Sequence, residues 1–374
     1  MVATNLVWLF MIPLLFSVAT FFILPKLGTR ITHGDALKFA LAGFVVSVGL
    51  MTVLFYTGKD SLTRDLEILN GQVVGKQRVH DEYTESYQCN CVTTTDSKGQ
   101  SSTSCQTCYR QHYTVEWLAE TTFGNHRLEY VDRESQSVYR LPDPDRYTST
   151  VVGEPYARSH AYTNYIKAVP ESLFHPSADS LRLKYAALLP AYPGAIYDEW
   201  HVDRVLGVGI KIPDAKAWNA DLSKMLSTLG PQKQVNAIVV FVAVDNPDYE
   251  YALQAAWLGG KKNDVVLIIG TPKFPERAAW VRVLAMTDTE LFKIRLRDEV
   301  MALSQLDREA VLPVLQSNIR TLFKRKPMYD YEYLDAHIDP PAWIYWLSVA
   351  LTSLLYLVSW FLIWRSVRPH YRKY

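Results

Sequence analysis

The sequence predicts an α+β membrane protein with three transmembrane helices, a β-rich module carrying four cysteines, and an α/β sandwich. Three features of the 374 residues predict it: uncharged apolar runs at both ends, four cysteines inside one strand-turn-strand unit, and a change of pattern near residue 214.

The apolar runs come first. Leu6 to Pro25 and Phe39 to Thr57 carry no charge, and Ala342 to Trp364 is longer still. At a rise of about 1.5 Å per residue, about 20 residues cross a hydrocarbon core of about 30 Å, so each run predicts a spanning helix. Trp8, Tyr56, Trp343, Trp346, Trp360 and Trp364 stand near the run ends, where amphipathic rings sit at headgroup level. The first run lacks a basic leader and a small-x-small cleavage site, which predicts a retained helix. Gly43 with Ser47, and Ser348 with Thr352, are small-xxx-small pairs that permit close helix packing.

Lys26, Arg30 and Lys38 lie between the first two runs, and Arg365, Arg368, Arg372 and Lys373 follow the third. Basic flanks stay in the cytoplasm, so the prediction is a multi-pass inner-membrane protein with one large extracytoplasmic region. That region is net acidic, which argues against a nucleic-acid partner. No Asn-x-Ser/Thr sequon occurs, which favours a bacterial or phage-encoded envelope protein.

Between about Gly71 and Lys167, β-branched and aromatic residues alternate with polar ones in VVGKQRVHDEYTESY, YTVEWLAETT, HRLEYVD, SVYRL and TSTVVGEPYARS. Turn clusters separate them, predicting a small antiparallel sheet or open barrel. The Pro- and Tyr-rich segment that follows predicts an irregular connection. From Asp214 the order becomes helix (DAKAWNADLSKMLSTL, stopped by Gly230-Pro231), buried strand (VNAIVVFVAV), helix ended by paired glycines, buried strand (VVLIIG), strand (WVRVLAM) and two helices. The predicted boundaries are 1–58 for two helices and their loop, 59–167 for the cysteine module and 168–213 for the connection. The α/β domain takes 214–328, and 329–374 the last helix and basic tail.

Around Trp257 to Gly270 (WLGGKKNDVVLIIG) the chain resembles the TPM domain family, and the resemblance extends from Asp214 to about Lys326. VNAIVVFVAV, ALQAAWLGG, KKND and VVLIIG look like that family's strand, helix, glycine turn and second strand. TDTELFKIRLRDEVM looks like its later helix. The resemblance implies an extracytoplasmic domain tethered by a C-terminal helix, with calcium or another divalent ion and, in one plant member, phosphatase activity. Asp245, Asp248 and Asp264 are the carboxylates this would place around a cation. Here Val265 stands where the family more often has glycine. The cysteine module also resembles one in membrane proteins of tailed phages.

The cysteines read Cys89-x-Cys91, thirteen residues, then Cys105-x-x-Cys108. Two disulfides stapling a hairpin are the first expectation outside the cytoplasm, and a four-cysteine zinc site the second. No HExxH, Walker or GxSxG motif occurs, and LGVGIKIP lacks the third glycine of a nucleotide loop. The expected function is therefore a membrane-anchored binding or auxiliary protein acting on an envelope partner. A metal-dependent phosphatase and a structural component of a membrane assembly are the alternatives.

Overall fold

The computed structural model describes residues 2–27, 31–97, 99–169 and 178–367. Arg30, Arg368, Arg372 and Lys373 of the basic flanks, the Trp8 ring and residues 170–177 of the connection lie outside the described residues. The chain runs α1 (Val2–Leu27), α2 (His33–Thr63), β1 (Arg64–Thr95), β2 (Ser101–Thr121), β3 (Gly124–Arg133), α3 (Asp145–Ser149), β4 (Pro155–Thr163), α4 (Tyr165–Ala168) and α5 (Ala178–Lys184). It continues with β5 (Val205–Val208), α6 (Ala215–Lys233), β6 (Asn236–Val242), α7 (Tyr249–Ala256), β7 (Asp264–Gly270), β8 (Trp280–Ala285), α8 (Glu290–Met301), α9 (Arg308–Leu322) and α10 (Ala342–Val367). This is an α+β chain with two sheets.

Two helices, α2 and α10, are long and apolar enough to cross a membrane. In α1 the apolar stretch among the described residues is the shorter Phe10–Lys26. Thr32 and Asp35 close a capping box at the start of α2, satisfying donors the first turn would otherwise leave free. The three helices pack on one another through a polar-tipped aromatic seam. Tyr356 of α10 shares a 2.7 Å hydrogen bond with Ser17 of α1 and stacks on Phe16, while the Trp360 indole donates to Thr20 at 3.0 Å. A Cβ on Gly43 would stand 2.9 Å from the Tyr356 ring, and Ser47, Ser348 and Thr352 are fully buried. The small residues face neighbouring helices, as close packing requires.

The first sheet is antiparallel in the order β3-β2-β1-β4. It reaches further back than the predicted Gly71, because β1 begins at Arg64, directly after α2, and pairs with β4 from Arg64 to Gln72. SVYRL is a 3-10 turn over Gln136–Arg140 and TST belongs to α3 and its cap, not to strands. That segment lies against the sheet face instead, where Val138 packs on Val115 and Trp117.

The second sheet has the order β5-β6-β7-β8, parallel except for β8. Both faces are covered. Val239, Phe241, Leu267 and Ile269 point to Trp218 and Leu222 of α6 and to Phe292 and Leu315 of α8 and α9. Ile238, Val240, Val266 and Ile268 point to Tyr249 and Leu253 of α7 and to Tyr185. Burial on both faces explains why β6 and β7 read as continuous apolar runs. Val205–Val208 (VLGV) forms the edge strand β5, and α6 runs past Gly230-Pro231 to Lys233, ending at Gln234 in the left-handed region.

The sheets meet where α6 crosses β1. A Cβ at Gly230 would collide with the Asn70 carbonyl, so only glycine allows this crossing. Gly230→Ala is expected to lower stability by about 1–3 kcal/mol. Gly49→Ala, facing open space, should change it little. Thermal unfolding of both variants in detergent checks the contrast.

Candidate functional site

From Tyr83 outward β1 pairs only with β2, because its pairing with β4 ends at Gln72 and β3 pairs with β2 only from Tyr113 on. The result is a two-stranded arm, Tyr83–Thr95 against Ser101–His112, exposed on both faces for most of its length. At about 3.3 Å per residue it projects roughly 40 Å. Such a ribbon has no core and is marginal alone in water. Two disulfides replace the missing core: Cys89–Cys108 and Cys91–Cys105. Each closes a short loop, worth about 3 kcal/mol in the chain-entropy account.

This corrects the zinc expectation. A bulge at Asn90 (φ 48°) shifts the register between Cys89 and Val92, so the four sulfurs form two successive cross-strand rungs and no thiolate is left to ligate. Beyond the rungs lies a hydroxyl ladder, Thr93 with Thr103 at 3.0 Å, Thr94 with Ser102 at 3.1 Å and Thr95 with Ser101 at 3.0 Å. Asp96 closes the tip, accepting from the Gly99 and Gln100 amides.

At the arm's base His112 is held between two carboxylates. Its Nδ1 lies 2.8 Å from Asp132 of β3, and its Nε2 3.2 Å from Glu85 of the arm. Tyr83 stacks on the imidazole at 4.8 Å and donates to Asp132 at 2.7 Å. The bond to Asp132 raises the His112 pKa and holds the Tyr83 phenol up at about 12.

The calcium expectation is corrected as well. Asp264 opens β7 opposite Asn236, the first residue of β6, whereas Asp245 and Asp248 follow the far end of β6. The strands are parallel, so the carboxylates stand at opposite ends of the sheet, at least about 20 Å apart by strand rise. Asp245 and Asp248 are exposed in the turn before α7. Among the described residues no group of three His, Cys, Asp or Glu side chains is placed to hold a metal ion.

Asp264 is 3% exposed and accepts from Asn236 at 2.9 Å, Tyr192 at 2.9 Å and the Lys261 amide at 2.9 Å. Burial pushes its pKa up to about 6, against those donors. Its position is that of a structural acceptor.

A cavity of about 840 Å³ opens where α2 gives way to β1, lined by Thr57, Asp60, Arg64, Asp65, Lys167 and Lys261 among others. Asp65 is 7% exposed and accepts from Lys261 at 2.6 Å and Asn164 at 2.8 Å. Burial would raise its pKa, but those two donors outweigh it and hold the carboxyl low. Lys167 lies 4.0 Å from Asp65 and donates to the Arg64 carbonyl at 2.8 Å. Sequence reasoning missed this cleft, although acids alternating with apolar residues in RDLEILN were a signal.

Three outcomes follow. Asp264→Ala leaves its donors without an acceptor and should cost about 2–4 kcal/mol, read as a lower thermal midpoint. Because the His112 pKa is raised on folding, its stabilisation is complete below about pH 6.5 and fades as pH rises through the folded value. Protease cleavage of the arm should therefore increase above neutral pH in the native chain. In His112→Gln cleavage should already be fast at low pH and lose that dependence, while an unchanged pH profile would dismiss the clamp. No family model, no curated protein and no solved structure matches the chain.

Proposed function

We propose that the chain is a multi-pass membrane protein of a bacterial-type inner membrane, whose extracytoplasmic region presents the stapled arm to a protein partner in the envelope. The arm carries this reading. A ribbon that buries no core of its own adds little apolar burial to the fold, yet two disulfides and the His112 clamp keep it extended. Disulfides persist outside the cytoplasm, which supports an outward-facing region. The basic residues Lys26, Lys38 and Arg365 support the same orientation. Packing of α1 against α10 through Ser17 and Tyr356 supports α1 as a third spanning helix.

The arm offers a partner three things: open backbone edges on both strands, a flat hydroxyl ladder at the tip, and Tyr87 and Tyr109 near its middle. Tyr109 is 72% exposed. Open edges accept an added strand, and exposed tyrosines are frequent anchors in protein interfaces. The TPM resemblance belongs to this proposal, supported by the order α6, β6, α7, β7, β8, α8, α9.

A photo-cross-linking residue at Thr94, illuminated in native membranes, is expected to capture a distinct protein. Thr93→Arg with Thr103→Arg should abolish that product at unchanged thermal stability. Recovery of cross-links to other copies of this chain alone would overturn the partner-binding reading in favour of a self-assembling structural component.

A further inference from the structure

We infer that the cleft at the exit of α2 binds the phosphodiester headgroup of an anionic phospholipid. The inference rests on α2 and α10 crossing a bilayer, and it is independent of the arm.

Height comes first. The uncharged run of α2 ends at Thr57, and Thr57 already lines the cleft. Gly58 packs against Ile344, so α2 and α10 are level there. Around that level stand Tyr56, 63% exposed, Trp343, 56% exposed, and Trp346, 75% exposed. Exposed aromatic rings at helix ends mark the membrane-water boundary. Asp60, Ser61 and Arg64, within the next two turns, therefore stand at headgroup depth.

Charge comes second. The cleft brings Arg64, Lys167 and Lys261 together against Asp60 and Asp65. Glu67 also lines it, but its carboxylate is answered by Lys262 at 3.0 Å. The lining holds as many carboxylates as cations, but with Glu67 neutralised from behind by Lys262, and Asp65 buried and shared between Lys261 and Lys167, one positive charge is left over. A monoanionic phosphodiester matches that surplus, whereas a choline headgroup brings a second cation into it. Leu66, 56% exposed, gives the cleft an apolar wall on which the glycerol and upper acyl chain can rest. At about 840 Å³ the space exceeds what a phosphoglycerol group needs, within the usual range of ligand pockets.

The test uses the full chain, delipidated in detergent and reconstituted in nanodiscs of equal phosphatidylcholine and phosphatidylglycerol. Retained lipid is read by native mass spectrometry. Phosphatidylglycerol should be retained over phosphatidylcholine. Arg64→Gln and Lys167→Gln should each lower that retention about fivefold, as expected for a basic group at an anionic surface. Lys293→Gln on α8 should leave it unchanged. Equal retention of the two lipids, or no loss in the double variant, overturns the inference. Displacement of the lipid by millimolar glycerol phosphate overturns the lipid source and assigns the cleft to a soluble phosphate. Carbonate extraction separates the two levels of claim: release of the chain refutes the spanning helices, while a chain that resists extraction and retains no phosphatidylglycerol refutes the cleft alone.

Discussion

A buried guanidinium sets how the two sheets meet. Arg204 is 2% exposed, and its donors go to three elements: Asn70 on β1, Asn236 on β6 at 2.8 Å and Ser223 on α6 at 3.2 Å. Among the described residues no carboxylate pairs with it directly. Its charge is answered at one remove, because the Asn236 amide that accepts from it donates to Asp264. Burial lowers the Arg204 pKa to about 10, so the group stays charged at neutral pH. Three separate nitrogens of the planar fork serve these acceptors, a spread that the single nitrogen of lysine does not match.

The same logic extends along the junction. Lys261, Lys262, Asn263 and Asp264 form a short loop in which each side chain has its own polar partner. Lys261 reaches Asp65, Lys262 reaches Glu67, Asn263 donates to the Ile68 carbonyl, and Asp264 closes on Asn236 and Tyr192. The first three contacts fall on consecutive parts of β1. Buried acids on that strand would be costly alone, and this loop supplies the cations and amides that make them tolerable. Asp264, read in sequence as one of three cation ligands, thus belongs with its loop to a plug between the sheets.

Much of this was legible in the chain, for identifiable reasons. Apolar runs such as VNAIVVFVAV and VVLIIG are long, β-branched and flanked by glycine turns, so β6 and β7 were readable, as were the helices between and after them. β5 was not, because four residues around Gly207 carry too little pattern to separate an edge strand from a loop. The first residues of β1 were hidden by their buried acids, which look like a solvated segment until Lys261 and Lys262 are brought beside them. Spacing alone left the cysteines open between zinc and disulfides. The two disulfides settle it, formed across a bulge at Asn90 that nothing in Cys-x-Cys announces. The acidic loops failed for a topological reason: in a parallel pair, residues after one strand and before the next sit at opposite ends.

One junction has a mechanical meaning. Arg64 caps α2 and is already the first residue of β1, with its amide bonded to the Asp60 carbonyl and its backbone extended. No linker separates a 31-residue helix from a 32-residue strand. Along the strand, the arm's tip stands at most about 100 Å from the helix end. With so long a lever, a tilt of about 5° in α2 displaces the tip by up to roughly 9 Å. The tilt of α2 and the position of the tip far from it are therefore coupled, and a force applied at either end is felt at the other.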